Sequence, residues 1–147
     1  MTANWGTAFV RQAMWRAAGL IASGLGIMLN CTTGHGDAGS AVRGERVFQR
    51  CFACHSVDPD EKAKLQGPSL HKIVGRPAAT IPGFEYSEAM KRMAATGLVW
   101  DVATLDRYLA DPESVVAGTN MSIPPLRDEQ ERADLLAYLA QSGPTRP

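Results

Sequence analysis

The pentapeptide Cys51-Phe52-Ala53-Cys54-His55 decides the fold predicted for this chain. Two thiols three positions apart, followed directly by an imidazole, form the attachment pattern of a c-type haem. Each thiol can add across one haem vinyl group to give a thioether, and the adjoining His55 is then held where a ring nitrogen reaches the iron. We therefore expect one haem c, covalently attached through Cys51 and Cys54, with His55 as an axial ligand to the metal.

Two nearby cysteines can also form a redox pair, half of a zinc site or an ordinary disulfide. A zinc site usually needs a second Cys or His pair, and no such pair follows in the sequence. A thioredoxin-like motif lies after a strand in a βαβ context, whereas the flanks here resemble a helix and then a polar loop. The haem interpretation is therefore favoured.

Length and charge restrict the remaining possibilities. The chain has 147 residues, enough for a single domain, and its 15 basic and 15 acidic side chains leave no formal net charge. No nucleic-acid-binding surface is predicted from this balance.

The first 38 residues have the order of a secretory signal peptide. Arg11 and Arg16 precede an apolar run at 17–29, and small residues follow up to Ala38. We expect cleavage after Ala38, and hence a signal peptide at 1–38 and a periplasmic domain at 39–147. A retained anchor is disfavoured because the run is shorter than the about 20 residues that span a bilayer.

Lipidation at Cys31 is a further alternative, but the residues before it match a lipoprotein signal poorly. Once residues 1–38 are removed, only the two haem cysteines remain, and no pair is left for a structural disulfide. If the segment is cleaved, no stable membrane insertion is expected.

The mature region is predicted to be all-α, because no sustained period-two alternation is present. Helices are expected at 41–50, from Ser87 to 95, from Asp101 until Asp111-Pro112, and after Asp128, while 75–83 is predicted as an irregular loop. Gly44 within the first helix indicates close approach of a second helix, with a harmless surface glycine as the alternative. The few aliphatic residues suit a fold completed by a buried haem.

The residues alone leave the second axial ligand open. Met121 is favoured, because it lies in the loop Gly118-Thr119-Asn120-Met121 shortly before two prolines. His71 is the rival, and two imidazoles would give a lower reduction potential than one imidazole and a thioether. Met90 and Met93 lie at helical spacing, where a methionine usually fills a core.

Taken together, these and further motifs resemble class I cytochromes c, of the bacterial cytochrome c2 and mitochondrial cytochrome c type. The resemblance covers nearly all of 41–141. The matching segments are Gly44 with Phe48, Gly67-Pro68-Ser69-Leu70-His71, Gly75-Arg76, Pro82-Gly83-Phe84-Glu85-Tyr86-Ser87, Trp100, Tyr108-Leu109-Ala110-Asp111-Pro112, the loop at 118–121 and the stretch 131–139.

The resemblance implies a single domain of short helices and long loops wrapped around one haem, and a role for each matching residue. Met121 is implied as the axial sulfur ligand, and Pro68 as the carbonyl that accepts from the proximal imidazole. The other implied residues are Arg76, Tyr86 and Trp100 beside a buried haem propionate, and Tyr108 and Thr119 as hydroxyls beside the methionine. His71 is then a structural hydrogen-bonding residue.

Two departures from the family pattern bear on function. Met90 stands where mitochondrial proteins carry an asparagine of an internal polar network, so a drier or rearranged network is expected. The lysines around the exposed haem edge are also sparse. Arg50 and Arg127 remain positive, whereas Glu113, Ser114, Asp128 and Glu129 replace much of the rest. Strong electrostatic steering to an acidic partner is therefore not predicted.

The resulting functional prediction is a periplasmic one-electron carrier, monomeric when free, and not an enzyme. Its expected partners are redox proteins: a membrane cytochrome complex on one side and a terminal oxidase or reaction centre on the other. The alternative is a dedicated electron-acceptor subunit of one periplasmic dehydrogenase, which the sparse lysines favour mildly. A haem enzyme or gas sensor would need a labile sixth ligand.

Overall fold

Short helices joined by long loops make up most of the computed structural model, which describes residues 38–61 and 63–142. The elements in chain order are α1 (Ala41–Phe48), β1 (Arg76–Pro77), α2 (Glu88–Ala95), β2 (Val99–Trp100), α3 (Val102–Ala110), α4 (Pro112–Val115) and α5 (Glu129–Gln141). The all-α class predicted from the sequence is confirmed. The predicted leader at 1–38 lies, apart from its last residue, outside the described part of the chain.

Side-chain caps explain where the main helices begin. In each case an oxygen of the residue before the helix accepts a hydrogen bond from a backbone N–H that has no partner within the first turn. The capping residues are Ser40, Ser87, Asp101 and Asp128 for α1, α2, α3 and α5. The last three were predicted as helix starts, and α1 ends at Phe48, two residues before its predicted end.

Three small elements, the strands β1 and β2 and the helix α4, depart from the sequence prediction. Strand β1 lies inside the stretch predicted as irregular and pairs antiparallel with β2, with Arg76 opposite Trp100. Pro112 ends α3 as expected, but it also begins α4, a single turn of helix. Elements of two and four residues are too short to produce a periodic pattern, and Pro is well suited to the first helical position.

Helices α1 and α5 pack with their backbones in close contact at Gly44. A Cβ atom placed there would lie 2.6 Å from the carbonyl carbon of Asp134 and 2.8 Å from Cβ of Tyr138. The rings of Phe48 and Tyr138 follow in the same interface, with centroids 5.4 Å apart. The predicted close approach of a second helix at Gly44 is confirmed.

Two ionic contacts fix α5 in place. Arg43 of α1 donates two hydrogen bonds to the carboxylate of Asp134, and the backbone N–H of Ser40 donates a third at 2.7 Å. On the other side, Arg132 donates to Asp106 of α3 at 2.7 Å and to the carbonyl of Leu126 at 2.8 Å. Both contacts tie the last helix to segments far away in the sequence.

The buried core lies between α1, α3 and α5 and extends to β2. Leu135 and Val116 are its most deeply buried large side chains. In the described part of the chain, no helix has the length and apolar character needed to cross a membrane.

Candidate haem-binding site

A largely apolar cavity of about 330 Å³ lies beside this core. Its volume falls within the roughly 300–1,000 Å³ of ligand sites. All ten residues predicted for the site line it: Cys51, Cys54, His55, Pro68, Arg76, Tyr86, Trp100, Tyr108, Thr119 and Met121. The fold therefore brings together groups that lie as many as 70 positions apart in the sequence.

Consecutive turns after α1 bring the cysteine motif to the cavity wall. The backbone N–H of Cys51 donates to the carbonyl of Phe48 at 2.7 Å, and that of His55 donates to the carbonyl of Cys51 at 2.9 Å. Cys51, Cys54 and His55 line the cavity, whereas Phe52 between them is 65% exposed. Both cysteines are free thiols, and burial raises the pKa of Cys51 against the opposing effect of Arg50.

The imidazole of His55 is held in one orientation. Its Nδ1 lies 2.7 Å from the carbonyl oxygen of Pro68. Because a carbonyl can only accept, Nδ1 carries the proton and Nε2 keeps the lone pair that a metal needs. Burial lowers the pKa of His55, which favours this neutral form.

Gly67 makes room for that imidazole. A Cβ atom at this position would lie 2.6 Å from Nδ1 and 2.7 Å from Nε2 of His55, far inside normal contact. The backbone N–H of Gly67 also donates to the carbonyl of Cys54 at 2.9 Å, which ties the loop to the cysteine motif. The proximal side of the cavity is thus built for an imidazole ring in this place.

Met121 reaches the same cavity from a loop held by two hydroxyl groups. The oxygens of Tyr108 and Thr119 are 2.7 Å apart, and the Thr119 hydroxyl accepts from the backbone N–H of Met121 at 3.2 Å. Burial raises the pKa of Tyr108, so its phenol stays protonated at neutral pH. The methionine is therefore positioned from α3 through Thr119.

Arg76 supplies a half-buried positive charge to the cavity. It donates to the backbone carbonyls of Ser69 at 2.7 Å and His71 at 2.9 Å. Burial lowers its pKa, but a guanidinium remains charged at neutral pH. The Tyr86 hydroxyl accepts from the backbone N–H of Ile81 at 3.2 Å, and the Trp100 ring packs 4.9 Å from that of Tyr108.

The candidate ligands that the sequence left open differ in whether they line the cavity. His71 does not line the cavity, and its Nδ1 lies 3.2 Å from the carbonyl oxygen of Val57. Met93 packs against the core, as expected for a methionine at helical spacing. Met90 instead lines the cavity, at the position where the family resemblance implied a change in the internal polar network.

Sequence reasoning did not assign the leucines of α3 and α5 to the site. Leu105, Leu109, Leu135 and Leu139 all line the cavity. The two leucines of each helix are four residues apart, so the sequence does place both on one face of that helix. The same spacing describes ordinary core contacts, and only the packing of the helices directs these faces to a ligand.

These residues fit a haem group. Two thiols match two vinyl groups, His55 and Met121 offer a nitrogen and a sulfur to iron, and the leucine faces suit an apolar ring. A charged, half-buried Arg76 in a largely apolar wall suits a carboxylate.

The cytochrome c family model matches residues 41–143 of this sequence. The chain belongs to the cytochrome c family. It is 48% identical to cytochrome c2 of Rhodomicrobium vannielii over 103 residues, which cover 70% of this chain and 79% of the relative. Cytochrome c of Sesamum indicum is 43% identical over 71% of this chain and 91% of its own length.

Solved structures agree with this placement. A cytochrome c2 structure from Rhodospirillum centenum superposes with a TM-score of 0.66 and 38% identity, covering 72% of this chain and all of the other. Cytochrome cH from Methylobacterium extorquens gives a TM-score of 0.62, also at 38% identity, over 70% of this chain and 99% of its own. The chain is thus a cytochrome c2-like electron carrier rather than an enzyme, and its family implies haem c as the cofactor.

Proposed function

We propose that this protein is a periplasmic monohaem cytochrome whose iron is ligated by His55 and Met121 and which carries one electron at a time. The observation that carries the proposal is that the His55 imidazole, held by the Pro68 carbonyl, and Met121, whose backbone N–H donates to Thr119, line one largely apolar cavity beside two free thiols. Cys51 and Cys54 would attach the haem covalently. When bound, the haem supplies the Fe(II)/Fe(III) couple.

The protein's own residues would keep that couple fast and reversible. Pro68 orients His55 and Thr119 orients Met121, so neither ligand has to move when the charge of the iron changes. The surrounding leucines exclude water, which keeps solvent reorganisation small. Arg76 would balance the negative charge of a propionate, a role that Tyr86 and Trp100 support from the same cavity wall.

A shuttle between a membrane cytochrome complex and a terminal oxidase or reaction centre is the first candidate for the cellular role. The segment 1–38 would direct export and would be cleaved after Ala38. The cytochrome c family model matches 41–143, which is nearly all of the chain expected after that cleavage. Electron transfer between periplasmic proteins is the activity that such a small single-haem domain suits best.

A dedicated acceptor subunit of one periplasmic dehydrogenase is the second candidate, and one contact favours it. Arg50 lies next to the cysteine motif, but both of its terminal nitrogens donate to Glu131, at 2.7 and 2.8 Å. Its charge is therefore largely compensated within the protein, and long-range attraction of an acidic partner is weak. Transfer rates measured against ionic strength separate the candidates: a tight, salt-insensitive complex with one dehydrogenase would contradict the shuttle.

Visible spectra and redox titration of the Met121→Ala holoprotein test the ligation. We expect loss of the weak red absorption band that methionine ligation gives ferric haem in this family, and a lower reduction potential. Met93→Ala is the matched control, because Met93 packs on the core rather than at the cavity, and it should keep the band. An unchanged potential in Met121→Ala would contradict the assignment.

Mass spectrometry of the exported protein tests the remaining parts of the proposal together. The expected mass is that of residues 39–147 plus one haem, retained after denaturation. A haem lost on denaturation would contradict thioether attachment, and a mass that includes 1–38 would contradict cleavage.

A further inference from the structure

We propose that Glu113 is a positioning residue that holds the Met121 loop closed from the protein surface. This inference rests on the proposed ligation by Met121 and adds a residue to it. The side chain of Glu113 lies in α4, eight residues before the methionine, and is exposed. Neither the cysteine motif nor the cavity lining includes it.

The contact that carries the inference joins α4 to the turn that precedes the methionine. Oε2 of Glu113 accepts a hydrogen bond from the backbone N–H of Gly118 at 2.8 Å. Gly118 adopts a φ of 80°, a left-handed conformation that favours glycine. The turn also contains the bond from the Thr119 N–H to the carbonyl of Val116 at 3.0 Å.

Two side chains therefore hold consecutive residues of this turn, one from the buried interior and one from the surface. Tyr108 is buried and contacts the Thr119 hydroxyl, whereas Glu113 is exposed and binds the backbone of Gly118. Thr119 in turn accepts from the backbone N–H of Met121. Loosening Gly118 should thus be transmitted to the methionine through a single intervening hydroxyl.

A charge effect on helix α4 is the competing explanation for an acidic residue here. Glu113 does lie in the first turn of α4, where a carboxylate is favourable. That explanation depends on the charge alone, whereas the proposed contact keeps part of its strength with any side-chain oxygen that accepts the hydrogen bond. Glutamine retains a side-chain carbonyl oxygen at the same reach, so the two explanations predict different results for Glu113→Gln.

The test uses imidazole as an external ligand that competes with Met121 in the ferric holoprotein. Its apparent affinity rises with the fraction of molecules in which the loop is open. Removal of one net hydrogen bond should increase that fraction by roughly three- to tenfold. We expect the ferric Glu113→Ala protein to bind imidazole about three to ten times more tightly than the wild type. Hydrogen exchange at the Gly118 amide should be faster by a similar factor.

Two further variants make the test specific. Glu113→Gln should bind imidazole less tightly than Glu113→Ala, because the side-chain oxygen is kept as an acceptor, although an amide oxygen accepts more weakly than a carboxylate. Ser114→Ala removes a different side-chain bond of α4, the 2.7 Å contact from the Ser114 hydroxyl to the carbonyl of Asp111, and should leave imidazole binding unchanged.

Each contrary result has a distinct meaning. An imidazole affinity of Glu113→Ala equal to that of the wild type would overturn the positioning role. An equal increase in Ser114→Ala would also overturn it, since any weakening of α4 would then suffice. A Glu113→Gln affinity equal to that of Glu113→Ala would favour the charge effect instead. If the wild-type ferric protein lacks the methionine band, the ligation itself is wrong, and the inference falls with it.

Discussion

Replacing Gly67 by alanine is expected to displace the imidazole of His55 in the haem site. The new Cβ would lie 2.6 Å from Nδ1 and 2.7 Å from Nε2 of His55. Ordinary van der Waals contact begins at 3.4 Å, so the imidazole would have to move by about 0.7 Å or more. Such a movement breaks the alignment of Nδ1 with the Pro68 carbonyl.

The size of the effect follows from two contributions. Overpacking at a well-filled site costs about 1–3 kcal/mol. A partly buried Nδ1–H and carbonyl that lose each other as partners cost about 1–3 kcal/mol more. Together they predict a fall of about 2–5 kcal/mol in the free energy of unfolding, a large part of the roughly 5–15 kcal/mol of a typical domain.

Guanidinium unfolding of the holoprotein measures this loss, and the reduction potential measures the displaced ligand. Lys64→Ala, three residues earlier and exposed, is the control and should remain within about 0.5 kcal/mol of the wild type. A Gly67→Ala protein with wild-type stability and potential would refute the conclusion that the imidazole is packed against this glycine.

Three further predictions test the helix packing, the ion pair and the backbone conformation of residues outside the haem ligands. Gly44→Ala should lose about 1–3 kcal/mol of unfolding free energy in urea despite the better helix propensity of alanine, whereas the exposed Val42→Ala on the same helix should lose nothing measurable. The Arg43 guanidinium holds the pKa of Asp134 in the folded protein well below its usual range. The ionised carboxylate therefore stabilises the fold fully above about pH 4, the pKa of an aspartate in the unfolded chain. This stabilisation is lost as the pH falls further, through the folded pKa. The stability gap between wild type and Asp134→Asn, followed by urea unfolding against pH, should narrow below about pH 4, and a constant gap would contradict the ion pair. Ala79 has a φ of 57°, a left-handed backbone conformation that is strained for alanine. Ala79→Gly should therefore increase the free energy of unfolding by up to about 1 kcal/mol and raise the thermal midpoint. A lower midpoint would contradict backbone strain at this residue.

Local chemistry is what the sequence predicted well. The starts of α2, α3 and α5 were predicted because Ser87, Asp101 and Asp128 satisfy backbone donors within their own first turns. The cysteine motif was equally readable, since its two thiols and imidazole are adjacent along the chain. Each of these signals depends on residues within about five positions of one another.

Very short elements, and contacts between distant segments, were not predicted from the sequence. Strand β1 has two residues and exists because β2, more than 20 residues later, offers it a partner. The bond from Glu113 to Gly118 depends on α4, which has four residues and no periodicity of its own.

For this protein, the sequence alone determined the attachment motif, the starts of the four longer helices and the candidate ligands, because those depend on spacing along the chain. The tertiary structure decided that His71 lies away from the cavity and that Met90 faces it. It also decided that Gly67 must be a glycine, because the imidazole of His55 occupies the space of a side chain there. These outcomes depend on which distant segments pack together, and the packing of α5 on α1 and α3 minimises exposed apolar surface for the whole domain rather than for any one segment.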